Sequence, residues 1–256
     1  MDKTLEKMIA AAEAGGQVLL KYFGRDLEVK EKSMASDFYT KADTESEEAI
    51  VELLQQNFPD YNIFAEEQGS IDKGSDWEFV IDPLDGSNNY MLGIPRYSVS
   101  IVLLKGNEAR HTVIHDPTLQ RSYYAQKGAG AFVNNQPIQI SQEKDIKRAT
   151  FGYAHAYDGS REYFTEVIKK LHQKNVKRVL ANWSPCLDFC LLAEGKIEAY
   201  LNDGSEIYDF MAGKLIVREA GAKVREFADG KGEGDRNDKF LVSNRPEIEQ
   251  VILECM

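Results

Sequence analysis

The sequence is most informative first for what it lacks. In its 256 residues no apolar run approaches the roughly 18 residues of a membrane span. The first stretch, MDKTLEKMIAAAEAGG, has no long apolar core, so a signal peptide is not expected. Basic residues are in the minority: 31 Lys and Arg face 42 Asp and Glu, a formal net charge of −11. Nucleic-acid binding draws on clustered basic surface, so nucleic acid is not an expected partner. Cysteine is scarce. Cys186, Cys190 and Cys255 form no framework spacing, which predicts reduced thiols and a cytoplasmic protein. Cys186 and Cys190 lie four apart with no histidine nearby, so a buried helix face is expected there rather than a zinc site. There is no internal repeat and no Pro/Gly-rich linker. The remainder, 43% apolar and 29% charged, is the composition of a soluble globular protein. Its length suits one large domain or two small ones.

The apolar spacing predicts a helix over 4–23, with Leu5, Met8, Ile9, Ala12, Leu19 and Phe23 on one stripe. Gly15 and Gly16 either weaken it or admit a close neighbour. A second helix is expected over about 44–57, opened by Thr44 with Glu47 three residues on, a capping-box pattern, and ended by Pro59. Short β-rich runs follow at 61–65, 77–81 and 97–106. Further antiparallel strands are expected through "AFVNNQPIQI", with Asn134-Asn135 as a turn. The second half alternates helices (159–173, 185–194, 207–220 and 246–255) with strands (176–181, 197–202, "AKVREF" and "FLVSN"). Antiparallel strands first and alternating elements later predict stacked sheets and helices in one α/β body.

The chemistry concentrates in VIDPLDGSNNY, residues 80–90. A strand is expected to end at Asp82. Pro83 holds Asp82 out of the helical region and offers no N–H. Asp85 follows past a bend, so two carboxylates can converge with the Leu84 carbonyl between them. Gly86 permits close backbone approach, and Ser87 begins a turn or helix whose free N–H groups suit an anion. Hard oxygen ligands for Mg²⁺ beside an anion cradle fit a phosphate ester. Taken alone, the stretch reads first as an Asx turn, since Asp-Pro and Asp-Gly are common turn chemistry. Acids stand at three further places: Glu66 with Glu67 after a strand, Asp209 opening a helix, and Asp43 before the helix expected at 44. Each has an ordinary reading too, as loop acid or helix cap.

Their order and spacing resemble the inositol monophosphatase family of Mg²⁺-dependent, lithium-sensitive phosphomonoesterases. EFVIDPLDGSNNYMLGIPRYSVSI is similar to its first signature, Asp-Pro-Ile/Leu-Asp-Gly-Thr/Ser-x-Asn-Phe/Tyr. IYDFMAGKLIVREAGAKV is similar to its second, Trp-Asp-x-Ala-Ala-Gly-x-Leu-Ile-Val-x-Glu-Ala-Gly-Gly. The resemblance covers nearly the whole chain. It implies the layered α-β-α-β-α sandwich of the inositol monophosphatase and fructose-1,6-bisphosphatase type, as one phosphatase domain over 1–256 with halves of about 1–150 and 151–256. It implies Mg²⁺ held by Glu66, Asp82, the Leu84 carbonyl, Asp85 and Asp209, and Asp43 bearing on a third, weaker ion through water. Gly86 and Ser87 would bind the phosphate, and Ser87 with Glu66 would orient and activate the attacking water. Lys32 matches a basic position near the site. The implied activity is hydrolysis of a small phosphorylated polyol, inositol monophosphate or a sugar phosphate. Fructose 1,6-bisphosphate, histidinol phosphate and 3′-phosphoadenosine nucleotides are rival substrates, and a partner-binding regulatory protein on the same fold is the rival class. A homodimer is implied by resemblance alone.

The departures fall on the substrate side. Tyr208 replaces the tryptophan of the second signature. Trp183-Ser184-Pro185 replaces a small glycine-containing turn that borders substrate, and Asn202 stands where an acidic residue often reads the inositol hydroxyls. Leu84, Asp85, Gly86, Ser87, Trp183, Ser184, Asn202 and Asp209 are therefore the expected substrate-binding set. His111, His115, His155 and His172 match no motif position and read as structural or surface groups. Asp85→Asn is expected to remove activity with little loss of fold, on the expectation that Asp85 faces solvent.

Overall fold

A computed structural model describes residues 2–25, 29–31, 38–155 and 159–256. Lys32 lies outside them. The elements in chain order are α1 (Lys3–Tyr22), β1 (Val29–Glu31), β2 (Phe38–Thr40), α2 (Lys41–Asn57), β3 (Asn62–Ala65), β4 (Gly69–Ile71), β5 (Trp77–Asp85) and α3 (Ser87–Met91). Then come β6 (Ser98–Lys105), β7 (Glu108–Asp116), β8 (Arg121–Gln126), β9 (Gly130–Val133), β10 (Gln136–Ile138), β11 (Thr150–His155), α4 (Arg161–Gln173) and β12 (Arg178–Leu180). The last are α5 (Pro185–Ala193), β13 (Ala199–Asp203), α6 (Ile207–Glu219), β14 (Lys223–Glu226), β15 (Lys239–Ser243) and α7 (Pro246–Leu253).

Apart from the short β1–β2 pair, the strands make two sheets. One has eight strands in the order β10-β9-β8-β7-β6-β5-β3-β4, antiparallel except where β3 runs parallel to β5. The other has five, β12-β11-β13-β15-β14, with β12, β11 and β13 parallel. Three apolar clusters stack these sheets between helices. Phe79, Ile81, Ile101 and Val113 meet Leu5, Met8, Ile50 and Leu54 of α1 and α2. Val80, Val102 and Ile114, on the opposite face, meet Phe189 of α5 and Leu215 and Ile216 of α6. The same cluster takes in Tyr200, Phe240 and Val242 of the second sheet. Phe151, Leu201 and Leu241 then meet Val167 and Leu171 of α4 and Ile248 and Ile252 of α7. The layers are α-β-α-β-α. Because β5 and β6 are covered on both faces, they read as nearly continuous apolar runs rather than as clean alternation.

Three local expectations are settled by packing. The glycines of α1 admit close neighbours: a Cβ at Gly15 would stand 2.7 Å from Ile50, and one at Gly16 would stand 2.6 Å from the His115 ring. Asn134 and Asn135 both adopt positive φ (45° and 67°), which forms the two-residue turn of the β9–β10 hairpin. The start of α2 differs from its expected place. It begins at Lys41, capped by Thr40, whose backbone N–H donates to Asp43 at 2.8 Å. Thr44 lies inside the first turn and caps nothing. Both threonines have an acid three residues on, so the pattern fits either. The earlier start buries Ala42, Asp43, Ser46, Glu47, Ile50 and Leu54 along one side of the helix.

Candidate active site

β5 does not stop at Asp82. It continues to Asp85 through a bulge: Asp82 pairs with Ser100 and Asp85 with Ser98, so three steps on β5 match two on β6. The extra residue falls at Pro83-Leu84, where Pro83 has no N–H to give the ladder. Its carbonyl accepts from Ser46 Oγ of α2 at 3.0 Å, and Leu84 N donates to Asp82 Oδ1 at 2.9 Å. Without the bulge, strand alternation would send residues 82 and 85 to opposite faces.

Asp85 is 2% exposed, so the expectation that it faces solvent is wrong. Its Oδ2 accepts from Ser98 Oγ at 2.7 Å and Ser184 Oγ at 2.5 Å, and its Oδ1 accepts from Cys186 N at 3.2 Å. One ligand atom each from Asp82, Asp85 and Cys186 lies within 4.8 Å of the others. Asp209 is the third residue of α6, in a capping box with Glu206, whose N–H donates to Asp209 Oδ2 at 3.0 Å. The Cys186 thiol donates to the Asp209 carbonyl at 3.2 Å, tying α5 to the start of α6.

Burial pushes the Asp82, Asp85 and Asp209 carboxyls above the ordinary carboxylate range. For Asp82, the charges of Glu66, Asp85 and Asp209 add to the rise; for Asp209, those of Asp85 and Glu66 do. Hydrogen bonds from Ser184, Ser98 and Cys186 oppose the rise at Asp85. Four acids from β5, the turn after β3 and the start of α6 therefore share one repulsive field. Among the described residues no Lys or Arg pairs with Asp82, Asp85 or Asp209; Arg96, the cation acting on Asp85, pairs instead with Asp188 at 2.5 Å. Hard oxygens that raise one another's pKa, with Asp82 and Asp85 buried, are a donor set that suits a divalent cation.

Glu66 is held in place by a residue that the motifs do not include. Glu47, fully buried on α2, accepts from Glu67 N at 2.8 Å and Gln68 N at 2.7 Å and so clamps the turn that carries Glu66. The signal was in the sequence: an acid on the apolar stripe of Ile50 and Leu54. Glu47→Ala would leave two amides without their acceptor. It is expected to destabilise the fold by roughly 3 kcal/mol, as charge-assisted bonds of this kind are lost. Chemical denaturation checks this, and a midpoint equal to wild type would remove the clamp.

The other expected site residues divide. Gly86 has φ +86°, and a Cβ there would stand 2.9 Å from the Arg96 carbonyl, so the close backbone approach is realised. Ser87 is the first residue of α3, and the Leu84 side chain is buried beneath α1 and α2. Asp43 is 3% exposed, and its Oδ2 accepts the Thr40 N–H and hydroxyl. Its carboxyl is raised to about 6, by burial first and with Glu67 adding. Asp43 therefore serves as a cap and stands in the field of Glu67. Trp183 is 62% exposed, and its carbonyl lies 3.3 Å from the place of a Gly86 Cβ, so its backbone borders Gly86. Ser184 is fully buried behind Asp85, its hydroxyl used there. Asn202 lies on β13. Its amide donates to Asp238 O at 2.6 Å, and its Oδ1 accepts from Ser205 Oγ at 2.9 Å. Two histidines have partners of their own: His115 bonds Ser122 at 2.9 Å and His155 pairs with Asp203 at 3.3 Å.

An α-β-α-β-α sandwich that gathers acids from a strand bulge, a turn and a helix start offers a site suited to a divalent cation. The sequence model of the inositol monophosphatase family matches residues 1–255, and the chain belongs to that family. The Nus factor SuhB of Pasteurella multocida is 32% identical over 260 residues, covering 99% of this chain and 95% of the relative. The fructose-1,6-bisphosphatase/inositol-1-monophosphatase of Thermotoga maritima is 31% identical over 244 residues, covering 94% and 92%. Among solved structures, the extragenic suppressor protein suhB from Bartonella henselae superimposes with a TM-score of 0.92 at 25% identity, covering 99% and 98% of the two chains. An IMPase from Thermotoga maritima superimposes at 0.87 with 28% identity, also covering 99% and 98%. Family and relatives support a phosphatase. No helix among the described residues is long and apolar enough to cross a membrane.

Proposed function

We propose that the protein is a Mg²⁺-dependent phosphomonoesterase acting on a small phosphorylated polyol, inositol monophosphate or a sugar phosphate. The observation that carries this reading is the mutual repulsion of Asp82, Asp85, Asp209 and Glu66, which a cation would relieve. Glu66, Asp82, the Leu84 carbonyl, Asp85 and Asp209 are the proposed ligands. When bound, the cation supplies phosphate charge neutralisation and a lowered pKa for water. The residues do the rest by position. The N–H groups of Gly86 and Ser87 hold phosphate oxygens, and Glu66 with the Ser87 hydroxyl orients the attacking water. Asp43, beside Glu67, marks a third and weaker cation position. Positioning and electrostatics then account for most of the rate, as in phosphoryl transfer generally. Trp183 is proposed as a wall of the substrate pocket, whereas Ser184 acts behind Asp85. Asn202, on β13 and held by Asp238 and Ser205, is kept as a proposed substrate contact. A homodimer is retained on family grounds, to be checked by light scattering.

The test of substrate is phosphate release in Mg²⁺ from inositol 1-phosphate, fructose 1,6-bisphosphate, histidinol phosphate and 3′-phosphoadenosine 5′-phosphate. Turnover of either of the first two supports the reading. Turnover only of histidinol phosphate or of the nucleotide would move it to those rivals. The relatives called Nus factors favour a second reading, a partner-binding role on the same fold. Cation binding without turnover of any ester would leave that one standing.

A further inference from the structure

Asn89 and Tyr90 complete the first motif, yet neither is a proposed cation ligand. Tyr90 is plainly structural, since its hydroxyl donates to Leu19 O at 2.6 Å and fastens α3 to the end of α1. Asn89 does something different. It is 3% exposed, and its single amide nitrogen lies 2.9 Å from Arg96 O, 2.8 Å from Asn182 O and 3.4 Å from Trp183 O. Two protons serve the two near carbonyls, and the third shares them. One side chain thus gathers two segments far apart in sequence. The first is the segment whose Arg96 carbonyl rests on Gly86. The second is the turn before α5, in which Trp183 holds φ +54°. That left-handed conformation is unfavourable for a bulky residue and persists only where its surroundings enforce it.

The residue after that turn is Ser184, whose hydroxyl donates to Asp85, and two further on Cys186 N–H does the same. We propose that Asn89 is a positioning residue: it straps the 182–183 carbonyls so that Ser184 and Cys186 hold the Asp85 carboxylate in one orientation toward the cation. Asn182 Nδ2 bonds Asp188 at 2.8 Å and secures the turn by its side chain; Asn89 secures it by its backbone. The inference rests on the reading of Asp85 as a cation ligand. Groups that orient a ligand from behind typically set metal affinity by 10–100-fold.

The experiment is calorimetric titration of Mn²⁺ into the wild-type protein, Asn89→Asp, Ser184→Ala and the double variant, well below their melting temperatures. Asn89→Asp keeps the shape but turns a donor into an acceptor facing three carbonyls. Asn89→Ser, too short to reach the turn, is the companion should the carboxylate prevent folding. The expected result is Mn²⁺ binding weakened about 10-fold or more in each single variant, with the double no weaker than the worse single, since both break one chain of contacts. A merely structural Asn89 would lower the melting temperature and leave Mn²⁺ affinity within about twofold of wild type, which overturns the inference. So does a double variant whose losses multiply. If wild type itself takes up no Mn²⁺, the cation reading of Asp85 fails and this inference with it; wild-type binding with unchanged variants sinks the inference alone.

Discussion

Asp82→Asn is expected to abolish turnover while making the cation-free protein more stable. Asp82 is 1% exposed, and its carboxyl is raised well above 3.8 by burial and three neighbouring acids. An amide removes one charge from that field and keeps an oxygen for the Leu84 N–H. Losing a preorganised electrostatic partner costs roughly 10²–10³ in rate, and losing a direct ligand is expected to exceed about 10³. The variant should be the more stable of the two at pH 8 without metal, because the charge that burial and the neighbouring acids disfavour is gone. The sign with pH follows. A carboxyl raised on folding holds a proton that the unfolded chain releases above about pH 4. The folded chain then binds more protons, so stability falls as pH rises from there through the raised pKa. The advantage of Asp82→Asn over wild type should therefore grow with pH and shrink when Mg²⁺ is added. Urea denaturation of both proteins at pH 5 and pH 8, with and without Mg²⁺, checks it. A variant less stable than wild type at pH 8 without metal would contradict the electrostatic account. Asp85→Asn should behave differently, since an amide cannot accept all three donors that converge on Asp85. Its loss of activity should come with a loss of stability.

Gly86→Ala has the second large expected effect. The position combines φ +86° with a backbone carbonyl 2.9 Å from the new methyl, and a carbonyl cannot swing aside as a side-chain end can. The left-handed cost and the clash together suggest a loss of about 2–4 kcal/mol. Relief by moving Arg96 would also pull on Asn89 and, through it, on the Ser184 turn. Turnover should then fall at least about 10-fold, the lower end of what displaced supporting contacts cost. Thermal melting and phosphate release on one preparation check both. A variant with wild-type melting and turnover would mean that the approach at Gly86 is loose.

Much of this was legible in the sequence. The 3.6-residue stripes marked α1 and α2, and the short β-rich runs marked the strands. The motif residues Asp82, Asp85 and Asp209 come into one electrostatic field, and Gly86 takes the positive φ that its motif position allows. What stayed hidden depends on three-dimensional neighbours. Thr40 and Thr44 carry the same local pattern, and only packing decides which caps α2. The bulge at Pro83-Leu84 leaves no periodic trace, because β5 is apolar on both faces. Glu47 reads in sequence as the capping-box partner of Thr44, and only its partners Glu67 and Gln68 show that it clamps the turn after β3 instead. Ser184 and Asn202 were expected by position in a motif, but their hydrogen bonds turn them toward Asp85 and Asp238.

The most direct measurement is phosphate release from inositol 1-phosphate and fructose 1,6-bisphosphate by the wild-type protein, first in EDTA and then after Mg²⁺ is restored, with Asp82→Asn beside it. The account predicts no release in EDTA, recovery with Mg²⁺, and none from Asp82→Asn in either condition. Release that persists in EDTA, or survives in Asp82→Asn, would contradict the claim that the acidic cluster works by holding a cation.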